Sequence, residues 1–431
     1  MLKMRKMKDS GIEWIGEIPE GWEVHRVKTH FSIISGSGFK PELQGQSTGD
    51  FPVCKASDIS SSGHYLHTSA NYITSDIVKS QHFSIIPKGS ILFAKIGEAM
   101  RKNNRSLCLH DCCVDNNCQG LVPKNISSEF SYYLFTCIDM TWFDNAGTIP
   151  CINNQKLYDC RIPFPSYDEQ LLISNHLNFQ CAKINEMLFH IRSSIEEYKK
   201  LKQTVITQAV TKGVRGEREM KDSGNPWFGQ IPTDWELSRV GLHFSIILGK
   251  MLCNAPLNDT YTLEPYYCAA DVHFDGVADG ERKKMWFSPI EKDLYRVSVG
   301  DLLVVEGGAG AGGSAIVENQ DSYTYIQNSI MIVRSKGNAD NRYLRYLLEF
   351  LVKQGYIDVV CNKATIPHFT KDKLSCVPFC LCGEQEEIAD YLDAKCAEID
   401  KLIAKKEQLV KELESYKKSL IYEVVTGKRE V

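Results

Sequence analysis

Residues 7–34 read MKDSGIEWIGEIPEGWEVHRVKTHFSII, and residues 220–247 read MKDSGNPWFGQIPTDWELSRVGLHFSII. The two stretches lie 213 residues apart and are identical at 18 of 28 positions, including both tryptophans of each copy. Self-similarity at a fixed offset indicates a chain built from repeated structural units.

The similarity continues in the second part of each copy. Glu169-Gln170 corresponds to Glu384-Gln385 at an offset of 215, and this alignment runs without a gap to LKQTVITQAVTKG (201–213) and YKKSLIYEVVTGK (416–428). Helix-forming residues dominate these stretches, and proline is absent from them. The predicted order is therefore globular unit, helical segment, globular unit, helical segment.

A third match is the tripeptide TIP, at 148–150 and again at 365–367. Residues 35–146 and 248–363, by contrast, share hydrophobic patterning more than identity. Two modules that recognise different targets would share a scaffold and differ in the residues between the shared motifs, as these two stretches do. Simple divergence after duplication explains the difference equally well.

Each helical segment carries a heptad seam. Apolar residues recur at alternating steps of four and three, and a period near 3.5 favours coiled-coil packing. Lys202 and Lys417 interrupt the two seams at equivalent positions. The candidate coiled-coil residues are Leu177, Ile184, Leu188, Ile191 and Ile195 in the first segment and Leu392, Ile399, Ile403, Val410 and Leu413 in the second.

The chain order predicts the direction of the helices. The first helix leaves the first unit and ends at the second, so a second helix that packs against it must run antiparallel. The 45 residues from Glu169 to Gly213 correspond to about 68 Å of helix at about 1.5 Å per residue. The alternative is two separate amphipathic helices, each packed on its own unit.

Composition narrows the class of protein. The 431 residues are 43% hydrophobic and 24% charged, as in globular proteins, and no stretch is apolar enough to predict a membrane span. The net charge of −4 means that any contact with nucleic acid must come from local patches. The 16 cysteines lack the paired spacing of zinc sites, so we expect free thiols and no metal.

Signatures of catalysis are missing from the sequence. The glycine-rich run at 307–314 lacks the lysine of a phosphate-binding loop, and its repeat partner at 96–104 has a single glycine. We expect a flexible loop that allows close approach to a ligand. No GxSxG motif and no convincing nuclease cluster of carboxylates and lysine occur. The sequence favours a binding scaffold without catalytic residues.

Local basic patches are the candidate contacts with DNA. Arginine and asparagine hydrogen-bond guanine and adenine in the major groove, and lysine favours phosphates. A solvated charged surface is the simpler interpretation of any single residue. The candidates are Lys95, Arg101, Lys102, Asn103, Asn104 and Arg105 in the first copy and Arg282, Lys283, Lys284, Ser314, Lys363 and His368 in the second.

The duplicated KDSG motif, the TIP…KL…IPFPSYDEQ segment and the YKKSLIYEVVTGK ending resemble the specificity subunits of type I restriction-modification systems. The resemblance implies a mixed α+β fold, with two α/β target recognition domains separated by two long helices that form an antiparallel coiled coil in a pseudo-two-fold repeat. The expected boundaries are 1–166 for the first recognition domain, 167–213 for the first spacer helix, 214–382 for the second recognition domain and 383–431 for the second spacer helix.

The resemblance also implies partners and a function. Two modification subunits would use S-adenosylmethionine to methylate adenine, and restriction subunits would use ATP and Mg to translocate and cleave double-stranded DNA. This chain would recognise a bipartite DNA site with a nonspecific spacer, in the cytoplasm of a bacterium or archaeon, with no cofactor and no catalysis of its own. The alternatives are a fused or stand-alone restriction or methylation enzyme and a coiled-coil scaffold that does not bind DNA.

Overall fold

The computed structural model describes residues 5–145, 147–319, 323–361 and 367–431. Internal contacts divide the chain into unit 1, Met1–Ile191 with Gln408–Val431, and unit 2, Arg192–Glu407. Each unit thus holds a stretch of both long helices. In the part of the chain described, every helix is too short or too polar to cross a membrane.

Unit 1 is an α/β domain with short helices between its strands. The strands are β1 (Met7–Ile12), β2 (Gly16–Pro19), β3 (Glu23–Arg26), β4 (Phe31–Ser35), β5 (Phe51–Cys54), β6 (Tyr65–Leu66), β7 (Tyr72–Ile73), β8 (Ile91–Ala94), β9 (Arg105–Cys108), β10 (Cys113–Val114), β11 (Cys118–Pro123) and β12 (Arg161–Phe164). The helices are α1 (Val27–His30), α2 (Ala56–Ser62), α3 (Ser75–Ser80), α4 (Gly97–Arg101), α5 (Ser128–Thr136), α6 (Asn154–Asp159) and the long α7 (Tyr167–Lys212), which continues into unit 2.

The main sheet of unit 1 has the strand order β4-β11-β8-β9-β6. All four residues of β8, Ile91–Ala94, are buried, as expected for a central strand that is covered on both faces. A second sheet has the order β10-β5-β7, and β12 pairs with β3 just before α7 begins. The β3–β12 pair therefore brings the N-terminal part of the chain to the start of the long helix.

Unit 2 repeats this plan with different loops. Its strands are β13 (Met220–Asp222), β14 (Gln230–Pro232), β15 (Glu236–Arg239), β16 (Phe244–Leu248), β17 (Thr262–Tyr267), β18 (Val272–His273), β19 (Gly276–Val277), β20 (Lys283–Phe287), β21 (Leu302–Val305), β22 (Ser314–Ile316), β23 (Tyr325–Ile326), β24 (Ile330–Ser335) and β25 (Pro378–Leu381). Its helices are α8 (Val240–His243), α9 (Pro289–Tyr295), α10 (Asn341–Lys353), α11 (Tyr356–Val360), α12 (Lys371–Ser375) and the long α13 (Gln385–Val425), which continues into unit 1.

The main sheet of unit 2, β16-β24-β21-β22, has the same order of equivalent strands as β4-β11-β8-β9 in unit 1. The second sheets also match, because β5 pairs with β10 and β17 pairs with β23 in parallel in the two units. The duplication seen in the sequence is therefore a duplication of strand topology.

In unit 1 the first half of α7 packs against the second half of α13. Lys417 Nζ on α13 donates to Asn185 Oδ1 on α7 at 2.7 Å. The apolar side chains that both helices contribute to the core of unit 1 are Ile173, Leu177, Cys181, Ile184 and Leu188 from α7 and Leu420, Ile421, Val424 and Val425 from α13. The heptad seam thus faces the domain core as well as the other helix.

In unit 2 the second half of α7 packs against the first half of α13. Lys202 Nζ donates to Asp400 Oδ2 at 2.6 Å, and Lys406 Nζ lies 5.6 Å from the ring centre of Tyr198. Tyr198 precedes Lys202 on α7, whereas its partner Lys406 follows Asp400 on α13. The two helices therefore run antiparallel. The predicted fold, two α/β units with antiparallel long helices, is confirmed.

The predicted coiled-coil residues lie on the inner side of the helices. Six are buried, namely Leu177, Ile184, Leu188, Ile195, Leu392 and Ile399. The other four, Ile191, Ile403, Val410 and Leu413, are half-buried.

A carboxylate at the start of each long helix holds the N-terminal repeat motif. The indole Nε1 of Trp22 donates to Glu169 Oε2 at 2.8 Å, and that of Trp235 donates to Glu384 Oε1 at 2.9 Å. Arg5 donates to Glu169, and its repeat equivalent Arg218 donates to Glu384. We call each trio of tryptophan, glutamate and arginine a clamp.

The glutamine that follows each clamp glutamate binds the body of the same unit. Gln170 Oε1 accepts from Ser127 N at 2.8 Å, and Gln385 Oε1 accepts from Asp340 N at 3.0 Å. Both side chains are buried, where an unpaired amide is costly and a paired one selects a single orientation. The repeated Glu-Gln dipeptide thus fixes each long helix to its domain.

Glu384→Ala should destabilise unit 2 strongly. The side chain of Glu384 is 1% exposed, so its removal leaves the Trp235 indole without its acceptor and takes the carboxylate from Arg218, which keeps the carbonyl oxygen of Lys212, at a cost of about 3–5 kcal/mol. Glu169→Ala, at a side chain that is 23% exposed, should cost about 1–3 kcal/mol. Chemical denaturation measures both, with exposed Glu386→Ala as the control. Equal denaturation midpoints for Glu384→Ala and Glu386→Ala would contradict the clamp.

Candidate nucleic-acid interface

In unit 1 the loop after the central strand β8 is bound to the TIP segment. Ile152 N donates to Lys95 O at 2.9 Å, and Gly97 N donates to Pro150 O at 2.8 Å. Ile149, the middle residue of this TIP, is 63% exposed. A variable loop and an invariant tripeptide of the repeat therefore form one surface.

Unit 2 builds the same contact from different residues. Phe369 N donates to Glu306 O at 2.6 Å, and Gly308 N donates to Pro367 O at 3.2 Å. Gly307 also pairs with His368 as an isolated β-bridge. The first two residues of the second TIP, at 365–366, lie outside the described residues, but the hydrogen bonds around Pro367 match those around Pro150.

A close approach of backbones supports the same region in both units. A Cβ at Gly36 would lie 1.9 Å from Asp115 O, and a Cβ at the equivalent Gly249 would lie 2.4 Å from Gln327 O. Neither position has space for a side chain. Gly36 lets the backbone after β4 pass directly over the turn that precedes β11. Gly249 does the same for the backbone after β16 and the turn that precedes β24.

Four of the predicted contacts of unit 1 lie on or near the surface. Arg101 and Lys102 are exposed at the end of α4, and Arg101 is 3.5 Å from Glu98. Lys95 is half-buried directly after β8, and Asn104 Nδ2 donates to Ser60 Oγ at 3.0 Å. Arg101 and Lys102 are therefore the cationic groups of this patch that project from the domain.

The other two predicted contacts of this patch, Asn103 and Arg105, support the loop from beneath. Asn103 has a φ of 57°, and its Oδ1 accepts hydrogen bonds from Arg105 Nη2 and, at 3.0 Å, from Met140 N. Arg105 is 5% exposed and donates to Ile138 O at 3.0 Å. Burial lowers the pKa of Arg105 to about 10, so it stays charged at neutral pH. The guanidinium is therefore used inside the domain, and a contact of Arg105 with DNA stays a prediction.

The predicted contacts of unit 2 are more scattered. Lys283 and Lys284 are exposed on β20, whereas Arg282 pairs with Asp271 at 3.1 Å and lies 4.8 Å from the ring centre of Tyr267. The Arg282 guanidinium is therefore already engaged within the unit.

The remaining three candidates of unit 2 have different positions. Ser314 is fully buried on β22, and its contact with DNA stays a prediction. His368 is exposed beside Gly307. Lys363 lies outside the described residues.

The glycine-rich run of unit 2 is a packed turn over most of its length. Gly308 and Gly312 have φ angles of 88° and 83°, which other residues rarely adopt. A Cβ at Gly312 would lie 2.8 Å from Val352 and 2.9 Å from Ile357. Of the loop that was expected to be flexible, Ala309 and Gly310 are exposed, and Ala311–Ser314 are buried.

Exposed amides near the TIP segment of unit 1 were missed by the sequence reasoning. Asn116 and Asn117 are exposed in the turn whose carbonyl at Asn117 accepts from Lys95 N at 2.8 Å. Asn153 Nδ2 donates to Asn145 Oδ1 at 2.9 Å on the other side of the TIP segment. Amides of this kind hydrogen-bond base edges. The Asn-Asn dipeptides at 116–117 and 153–154 were the available signal.

Histidines, thiols and carboxylates do not converge on a metal site in the described part of the chain. Most of the cysteines are buried in the cores, and burial raises the pKa of Cys113 to about 11 and that of Cys380 to about 12. These thiols are therefore protonated at neutral pH, the form that packs as a small apolar group.

Comparison with known proteins gives a consistent result. Residues 19–197 match the family described as type I restriction modification DNA specificity domain. The chain is 27% identical to a putative type I restriction enzyme MjaX specificity subunit of Methanocaldococcus jannaschii, over 96% of this chain and 95% of that protein. It is 26% identical to the MjaIX specificity subunit of the same organism, in an alignment that covers 57% of this chain and about half, 56%, of that relative.

Solved structures share the fold. A chain from a structure titled for complex assembly and conformational transition of the type I R-M system aligns over 96% of this chain and 99% of its own length, with a TM-score of 0.69 and 17% identity. The HsdS subunit from Thermoanaerobacter tengcongensis aligns over 96% of this chain and 98% of its own, with a TM-score of 0.51 and 18% identity.

Arg105→Ala should destabilise unit 1, whereas Arg101→Ala should leave its stability nearly unchanged. Loss of Arg105 removes the side-chain donor to Ile138 O, leaves Asn103 Oδ1 with Met140 N alone and opens a cavity, so the free energy of unfolding should fall by about 2–4 kcal/mol. Arg101 is exposed, and its loss should change stability by less than about 0.5 kcal/mol. Chemical denaturation of the two variants tests the assignment, and similar values for both would refute it.

Proposed function

We propose, from the premise that this chain is a specificity subunit of the type I restriction-modification family, that it recognises a bipartite DNA site and directs adenine methylation and cleavage by partner subunits. The observation that carries the proposal is the duplicated α/β unit, with one order of sheet strands and two sets of loops. Each unit reads one half of the site, and the sequence between the halves is not read.

The surfaces next to the two TIP segments carry different side chains, which supports the proposal that the two units recognise different half-sites. Unit 1 presents Arg101, Lys102 and a group of exposed asparagine amides around its TIP segment. In unit 2 the equivalent loop ends in the small Ala309–Gly310 tip beside His368, and Lys283 and Lys284 lie on another strand. Lysine and arginine attract phosphates, and amides and guanidinium groups discriminate base edges, so different side chains on one scaffold select different bases.

The long helices are the proposed docking surface for catalytic partners. Leu172, Phe179 and Phe189 of α7 are 60%, 58% and 69% exposed and lie outside the heptad seam. The duplication favours two copies of a modification subunit, which would supply S-adenosylmethionine chemistry at adenine. Restriction subunits would add cleavage that depends on ATP and Mg. This chain selects the site and leaves the chemistry to them.

Exchange of one variable stretch tests the proposal. Residues 35–146 are replaced by the corresponding stretch of another specificity subunit, and the intact system is expressed in a host whose adenine methylation is mapped genome-wide. We expect the methylated motif to change in one half and to keep its other half and its gap, because unit 2 and both helices are unaltered.

Exchange of residues 248–363 is the matched control and should change only the other half. A motif that changes in both halves after either exchange would contradict the proposal that each unit recognises one half-site independently. Methylation that ignores sequence would contradict DNA recognition altogether and favour a scaffold role.

A further inference from the structure

Two lysines occupy positions in the helix seam where an apolar side chain is expected. Lys202 of α7 and Lys417 of α13 are related by the 215-residue offset of the repeat and interrupt the two heptad series at equivalent positions. A third seam lysine, Lys406 of α13, has no lysine at its repeat equivalent and lies 5.6 Å from the ring centre of Tyr198. The side chains of Lys202 and Lys417 are only partly accessible, that of Lys202 being 17% exposed. A lysine so placed loses part of its hydration, which is unfavourable unless oxygen atoms replace the water.

Each lysine finds its oxygen on the opposite helix. Lys202 Nζ donates to Asp400 Oδ2 at 2.6 Å in unit 2, and Lys417 Nζ donates to Asn185 Oδ1 at 2.7 Å in unit 1. Asp400 and Asn185 are themselves related by the 215-residue offset. The same contact across the helix pair is therefore built twice, once in each unit, and differs in the charge of the acceptor.

The surroundings of these contacts make them sensitive to alignment. Ile399 and Ile184, the neighbours of the two acceptors in sequence, are buried in the seam, as are Cys396 and Cys181 one turn earlier. If one helix slid along the other, the lysine amine would lose its oxygen and would face apolar side chains. A polar group at a seam position of this kind selects one alignment of a coiled coil at some cost in stability.

We infer that Lys202 and Lys417 are positioning residues that set the alignment of α7 with α13 in their respective units, and through it the gap length that the protein accepts. This inference rests on the proposed function for its effect on DNA, but the contacts themselves can be tested without DNA. The apolar seam residues supply the stability, and the two lysines exclude other alignments.

The test without DNA exchanges the two acceptors. Asn185→Asp gives Lys417 the carboxylate that Lys202 already has, so the unfolding temperature should rise by about 1–2 °C. Asp400→Asn makes the reverse change and should lower it by a similar amount. Both shifts should shrink in 1 M salt, which screens charge pairs. The exposed Asn175→Asp on α7 is the control, and shifts no larger than its own would overturn the contacts.

The test with DNA replaces both lysines by an apolar residue. Lys202→Leu with Lys417→Leu should leave the unfolding temperature equal or higher, because a partly buried polar group is exchanged for an apolar one. The double variant should also methylate sites whose gap is one base pair longer or shorter than the native gap. The ratio of methylation at these sites to methylation at sites with the native gap should be at least threefold higher than in the wild type. The variant with methionine at both positions, which keeps the length of the side chain, should behave in the same way.

The outcomes are separable. Variants that fold and methylate only the native gap would overturn the inference. Failure of both variants to fold would also overturn the inference, because residues that only set the alignment of two helices are not required for their stability. If the wild-type system methylated no bipartite site, the proposed function would fail, and the acceptor exchange would still decide whether the lysine contacts form.

Discussion

A hydrogen bond between a tryptophan and a glutamate at the start of each long helix, partly buried in unit 1 and buried in unit 2, is the constraint on which the rest of the structure depends. Trp22 with Glu169 and Trp235 with Glu384 join residues that are 147 and 149 positions apart. Each bond ties the N-terminal repeat motif, which enters the domain, to the helix that leaves it. The domain and the helix therefore have one mutual orientation within each unit, and the adjacent glutamine holds it from the other side.

Much of this organisation was readable from the sequence because local patterns determine it. The heptad spacing predicted the seam, and the repeated segments predicted two units of one topology. The matching tryptophans and the matching Glu-Gln dipeptides were also visible as repeats. Their hydrogen bonds were not, because a contact across 147 residues depends on the tertiary fold and leaves no local periodicity.

The candidate interface was less predictable, for a physical reason. A basic residue in a loop is available to DNA only if the domain has no use for its charge, and Arg101 and Arg105 differ in this respect although four positions separate them. Arg105 begins β9, whose four residues are all buried, and its charge is satisfied by backbone and amide oxygens. The exposed Asn116 and Asn117 are the converse case, because only folding brings them beside the loop after β8. Asn153 and Asn154 are half-buried, and their side chains are hydrogen-bonded inside the domain.

The central claim is that the helices determine the distance between the two sequences that are read. Deletion of residues 192–198 from α7 together with residues 404–410 from α13 removes one heptad from each helix and leaves both clamps and all loops intact. Genome-wide mapping of adenine methylation in a host with the altered system is the direct measurement. The account predicts the same two half-sites with a shorter gap, and an unchanged gap or altered half-sites would contradict it.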